Sequence, residues 1–174
     1  MKIFIIITYS LLLLLNPNSA ISNNNIVFID TDKILASSKP GTFLLKQLNE
    51  LNQKNIESFK KIETSLKKRD KEITSQKNIL SVVEFKKKID QLKLDVESYN
   101  NNRQTLISDF TQLKDKSTSD FFKSVNSILI KYSDENSISL IIRKKSLVIG
   151  KSELDVTNKI IQLINDNIKE VNIK

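Results

Sequence analysis

The sequence predicts an α+β fold that is mainly α: a long antiparallel helical hairpin projecting from a small β body assembled from several chains. Three observations predict it. Between Gly41 and Gly150 there is no glycine and no proline, and apolar residues recur with helical period through most of that stretch, whereas an average globular helix has only about 11–12 residues. Two short β-branched segments, Ile26–Ile29 and Ile138–Ile149, bracket it. A helix-start signature near residue 81 divides it into two arms.

At the N-terminus, Met1-Lys2 supplies a short positive region and Ile3–Leu15 an apolar run interrupted only by Thr8, Tyr9 and Ser10. Asn16-Pro17-Asn18-Ser19 breaks the run, and Ala20-Ile21-Ser22 places small residues for cleavage after Ser22, with cleavage after Ala20 as the second choice. The run falls short of the ~20 residues that span a bilayer. Residues 1–22 are therefore expected to be a cleaved signal peptide, and the mature chain to be exported.

Ile26-Val27-Phe28-Ile29 is apolar on both faces and reads as a buried strand. Asp30-Thr31-Asp32 offers capping oxygens for a short helix over Lys33–Ser37, and Lys39-Pro40-Gly41-Thr42 is expected to break the chain before a long helix starts at Gly41 or Thr42. The ascending arm keeps a heptad register through Leu45, Phe59, Leu66, Ile73 and Leu80, with Leu48 and Ile62 three residues after two of these. Asn52, Asn55, Arg69 and Gln76 fall on the same seam and should weaken it.

In Leu80-Ser81-Val82-Val83-Glu84-Phe85, Ser81 and Glu84 have capping-box spacing, so residues 77–81 read as the hairpin tip and Val82 as the first residue of the second helix. Phe85, Ile89, Leu92, Val96, Tyr99, Arg103, Leu106, Phe110 and Leu113 then step by fours and threes; after Ser117 the pattern shifts to Phe121, Val125, Ile128 and Tyr132. Arms of roughly 35–38 residues would each extend about 55 Å. Asp134–Ser137 ends the helix, Ile138–Ile142 reads as a strand, Arg143–Ser146 as a basic turn, and Leu147-Val148-Ile149 as the partner strand. A final amphipathic helix carries Val156, Ile160, Ile161, Ile164 and Ile168 on one face. Three short strands are too small a sheet to stand alone, which points to self-association through them. This divides the chain into a signal peptide (1–22), a β-containing body (23–41 and 133–174) and a hairpin (42–132).

Composition narrows the function. The chain has neither cysteine nor histidine, which removes disulfides, thiol nucleophiles, the usual zinc sites and histidine acid–base catalysis. No pocket-forming sequence surrounds any Asp/Glu pair; the chain reads as a non-enzyme with no cofactor or metal. Losing residues 1–22 removes only Lys2 from the charge count and leaves an excess of seven positive charges. Over residues 60–93, eleven basic residues face five acidic ones, so nearly all of that excess lies at the far end of the arms. In an exported protein this disfavours nucleic acid and favours acidic unfolded chains, anionic lipid or lipopolysaccharide. Lys67, Lys68, Arg69, Lys71, Lys77, Lys86, Lys87 and Lys88 are the candidate client- or anion-binding residues, set against the ordinary alternative of a solvated helix face. Phe59, Phe85, Tyr99 and Phe110 belong to the seam; Phe121 and Phe122, being adjacent, cannot both do so.

Taken in order, Ile26-Val27-Phe28-Ile29-Asp30, the Lys39-Pro40-Gly41 break, the lysine-rich hairpin with Leu80-Ser81-Val82-Val83-Glu84-Phe85-Lys86-Lys87 at its turn, and the closing Ile138–Ile142, Leu147–Ile149 and Leu154-Asp155-Val156-Thr157 segments resemble the Skp/OmpH family of periplasmic chaperones. The resemblance covers essentially the whole mature chain. It implies a homotrimer whose chains pool their strands in a barrel-like body, with Ile26, Phe28, Leu140, Ile142 and Val148 as candidate oligomer-core residues. It also implies helical tentacles around a cavity that holds unfolded outer-membrane proteins without ATP. Fewer aromatics, and more Asn, Lys and Ile, distinguish this chain from that pattern. An exported coiled-coil spacer or adaptor, or a protein that binds the anionic envelope surface, is the alternative.

Overall fold

The structure is a computed structural model that describes residues 25–169 together with 171 and 173; the signal-peptide expectation lies outside the described residues. In chain order the elements are β1 (Asn25–Ile29), α1 (Thr31–Ser37), α2 (Lys39–Ser75), α3 (Val82–Glu135), β2 (Ile138–Arg143) and α4 (Thr157–Asn167), with single 3-10 turns at Lys144–Ser146 and Ser152–Leu154. No helix among the described residues is long and apolar enough to cross a membrane.

Each helix start has a local cause. Asp30 Oδ1 accepts the Lys33 amide at 3.0 Å and caps α1. Ser38 then closes α1 and opens α2, its Oγ accepting the Gly41 amide at 3.3 Å. The expected break at Pro40-Gly41 is instead the first turn of α2, where proline lacks only an amide hydrogen that has no helical partner anyway. Gly41 is required there: a Cβ would sit 2.2 Å from the Leu35 carbonyl oxygen. At the tip the capping box is complete, since Ser81 Oγ accepts the Glu84 amide at 3.3 Å and Glu84 Oε2 accepts the Ser81 amide at 3.2 Å. The Ser81 hydroxyl, donating to Glu84 Oε2 at 2.7 Å, and the Ser81 amide together hold the exposed Glu84 carboxyl below its ordinary pKa.

The arms are unequal. α2 has 37 residues and matches the expected length, but α3 has 54, about 80 Å at 1.5 Å per residue. The extra turns of α3 belong to the base, where Phe121 and Val125 join Leu44 and Leu48 of α2, Ile34 of α1, Ile29 of β1, and Ile160 and Ile164 of α4 in one buried core. Leu44, rather than the predicted Leu45, is the fully buried seam residue at this end. The register shift after Ser117 is where the seam gives way to this core, and Ser117 itself is buried. Beyond the core the arms touch along a thin line, with Ile73 and Leu92 buried near the tip and Phe59 meeting Tyr99 edge to face at 6.4 Å.

The sheet differs from expectation. β1 and β2 pair in parallel, with Val27 opposite Ile141 and Ile29 opposite Arg143, and Leu147–Ile149 is not a strand. After β2 the chain does not reverse onto it. The Lys144–Ser146 turn is held toward β1 by Lys144 at 3.9 Å from Asp30 and 3.6 Å from Asp155, and by Lys145 at 2.6 Å from Asp32. The chain then crosses to the far side of β1, where Gly150 lies against the Phe28 ring, Asp155 forms a parallel bridge with Phe28, and the Val156 amide donates to the Phe28 carbonyl at 3.1 Å.

Candidate functional site

The chemistry of the described residues is spread along the arms and over one face of the sheet. Among the described residues, no cluster of three or more carboxylates is placed to hold a metal ion.

The basic residues of the arms fall into two groups. Lys67 donates to Glu63 at 2.7 Å, which holds the Glu63 carboxyl low and the Lys67 amine high. Lys68 pairs with Glu72 at 3.8 Å. Arg69 crosses the seam to Asp95, which also accepts from Gln91 at 2.9 Å, and Lys88 crosses it to Gln76 at 2.7 Å. Arg69 and Lys88 brace the two arms against each other, while Lys67 and Lys68 pair within α2. The second group, Lys71, Lys77, Lys86 and Lys87, has no ion pair among the described residues and is exposed. Its charge is open to a partner.

Sequence reasoning missed the apolar side of the tip. Ile79, Val82 and Val83 are 82%, 85% and 77% exposed, each within four residues of at least one of Lys77, Lys86 and Lys87. Their place beside the capping box was a usable signal: a residue in a tight turn or at the outer side of a first helical turn has no seam to enter. Further down the arms, Ile56, Ile62, Leu94, Val96, Leu106 and Ile107 are also exposed. Between the arms runs an open groove of about 590 Å³ floored by Phe59, Ile62, Leu66, Tyr99 and Leu106 and rimmed by Ser58, Ser65, Ser98 and Thr105. Phe121 is fully buried in the base core; Phe122, 5.0 Å away and edge to face, lines a separate apolar hollow with Leu129 and Ile141.

Four of the five candidate oligomer residues share one face of the sheet. Side chains alternate along a strand, so Ile26, Phe28, Leu140 and Ile142 point away from the helices while Val27, Ile29 and Ile141 point toward them. Phe28 is already buried under Gly150, whereas Ile26 and Leu140 are exposed and Ile142 is half-buried. Val148 is fully exposed.

Where β1 ends, a polar cluster ties the body together. Thr157 Oγ1 donates to Asp155 and accepts the Asp30 amide at 2.8 Å, and the Thr157 amide donates to Asp155 Oδ1 at 3.0 Å. Burial alone would raise the Asp155 carboxyl, but the two Thr157 hydrogen bonds and the Lys144 ammonium outweigh it and leave the pKa below the ordinary value. The cluster ties β1, the Lys144 turn and α4 together, a structural role for the Leu154-Asp155-Val156-Thr157 segment.

The family model described as outer membrane protein (OmpH-like) matches residues 25–164. Among solved structures, the chain is similar to an OmpH-like protein of Caulobacter crescentus, described as a "putative outer membrane chaperone", with a TM-score of 0.77, 13% identity, and coverage of 85% of this chain and 88% of that one; at that identity the likeness concerns the fold. No curated protein matches the chain.

Proposed function

The chain belongs to the outer membrane protein (OmpH-like) family, and from that premise we propose that it is an ATP-independent holdase chaperone of the periplasm. In this reading, arms projecting from a homotrimeric body surround a cavity that takes up unfolded outer-membrane proteins and keeps them from aggregating on the way to the outer membrane. The observation that carries it is the exposed apolar series Ile56, Ile62, Leu94, Leu106 and Ile107 along arms that also bear lysines without ion pairs. An unfolded chain has many apolar segments and no fixed shape, so many weak contacts hold it better than one pocket. Several small apolar contacts add up, each worth about 25 cal/mol per Å² removed from water, while the lysines speed encounter with acidic stretches.

Binding of a urea-unfolded outer-membrane β-barrel protein, read by fluorescence anisotropy after dilution, tests this. Replacing Lys77, Lys86 and Lys87 together by Gln should leave the circular dichroism unchanged and weaken capture several-fold at low salt. The difference should shrink as salt rises, because exposed charges are screened beyond about 10 Å at 0.1 M ionic strength. Equal affinity for the folded and unfolded client would refute the holdase.

One observation favours a second reading, in which the tip binds the anionic envelope surface. Ile79, Val82 and Val83 beside Lys77, Lys86 and Lys87 join aliphatic groups to positive charge, the combination that seats a protein at a lipid interface. Flotation with anionic vesicles in the absence of client supports this reading; capture of client without flotation supports the holdase alone.

A further inference from the structure

One side of the hairpin differs from the rest of this charged chain. The open groove between α2 and α3 has Phe59 and Tyr99 half-buried on its floor and takes in Ile62 and Leu106, 44% and 39% exposed. Its charged members are Arg69 and Asp95, which pair with each other and close the end nearer the tip. Below that pair the rim is uncharged, with Ser58 and Ser65 on α2 and Ser98 and Asn102 on α3. The other rim hydroxyl, Thr105, turns back to the Asn101 carbonyl at 3.1 Å, as Thr64 and Thr111 turn back to their own helices. Among the described residues, no hydrogen bond engages the side chains of Ser58, Ser65, Ser98 or Asn102.

We propose that this groove, which lies within a single hairpin, binds one extended, uncharged stretch of unfolded chain in which apolar and polar side chains alternate. The inference rests on the holdase reading and deepens it, naming where on the hairpin the client's backbone lies and which stretches are taken. From Ser58 to Arg69 the helix advances about 16 Å at 1.5 Å per residue, the length of about five residues of extended chain at ~3.3 Å each. Alternate side chains of such a stretch point the same way, so about half of them meet the aromatic and aliphatic floor. Its amides and carbonyls have no partner but water in an unfolded chain, and they meet rim side chains that both donate and accept. A helix satisfies its own backbone and has no use for that rim; an acyl chain has no polar groups along its length to meet it. Arg69 and Asp95 cancel each other's charge, so the groove draws on neither sign, which separates it from the lysines of the tip.

Two fluorescent peptides of one composition, uncharged and blocked at both ends, test this. One alternates Leu with Ser; the other carries its Leu residues in a single run. Each is titrated with the mature protein and read by anisotropy. The alternating peptide is expected to bind several-fold tighter than its isomer, with the same affinity at low and high salt. Ser65→Ala/Ser98→Ala/Asn102→Ala should weaken that binding several-fold with no loss of helix by circular dichroism, because alanine is the better helix former. Equal binding of the two peptides, affinity that falls as salt rises, or a triple variant that binds as the natural chain does overturns the groove. Capture of a urea-unfolded outer-membrane β-barrel protein by the natural chain in the same assay then leaves the holdase standing; failure to capture it overturns both.

Discussion

Single residues fix where the chain turns. Gly41 was legible in the sequence as a breaker, but its role is the opposite. It lets α2 begin against the Leu35 carbonyl, and nothing in composition reveals a contact with a residue six positions earlier. Gly41→Ala should therefore destabilise the protein by about 1–3 kcal/mol through overpacking, measured by urea unfolding. Thr157 was read only as part of a closing motif; its hydroxyl links Asp155 to the Asp30 amide. Thr157→Val should cost about 1–3 kcal/mol by leaving those groups unpaired. The depressed Asp155 pKa gives a sign for pH: its contribution is present above the unfolded value near 3.8 and is lost as pH falls through the lower folded value. Melting temperatures taken from neutral pH down to about pH 3 should therefore fall less steeply for Asp155→Asn than for the natural chain.

At the scale of elements, the hairpin was the most legible part, because heptads and a capping box are local patterns. Ser81 and Glu84 form the box where the sequence placed it. Three features of the elements were misread. Leu147–Ile149 has strand composition, yet its course is set by Lys144 and Lys145 reaching Asp30, Asp155 and Asp32, partners more than 100 residues distant for all but Asp155. The expected arm length was too short for α3, although its end at Asp134–Ser137 was read correctly; its turns beyond the length of α2 pack in the base core. The start of α2 was displaced because proline in a first turn looks the same in sequence as proline that ends a helix. The seam's polar residues carry a prediction of their own. Asn55 is half-buried between the arms, so Asn55→Leu should raise the hairpin's stability and slow amide exchange in α2, at the expense of arm movement.

For the whole molecule, the structure separates a packed base from thinly packed arms. Leu44, Phe121, Val125, Ile160 and Ile164 are fully buried in the base, while the arms expose aliphatic groups and lysines along their length. That division suits a body that assembles and arms that hold. The candidate site was legible in its charge, because lysine clustering is visible in any sequence. Its apolar half was signalled only at the tip, where Ile79, Val82 and Val83 adjoin the capping box; along the arms, exposure of Leu106 and Ile107 depends on which way each helix faces. The central claim, that these arms hold unfolded chains, is tested most directly by light scattering. A urea-unfolded outer-membrane β-barrel protein is diluted into buffer with and without the mature protein, in the absence of ATP. Scattering suppressed at stoichiometric amounts of the chaperone assembly is the predicted result; aggregation that proceeds at the same rate and to the same extent would contradict the account.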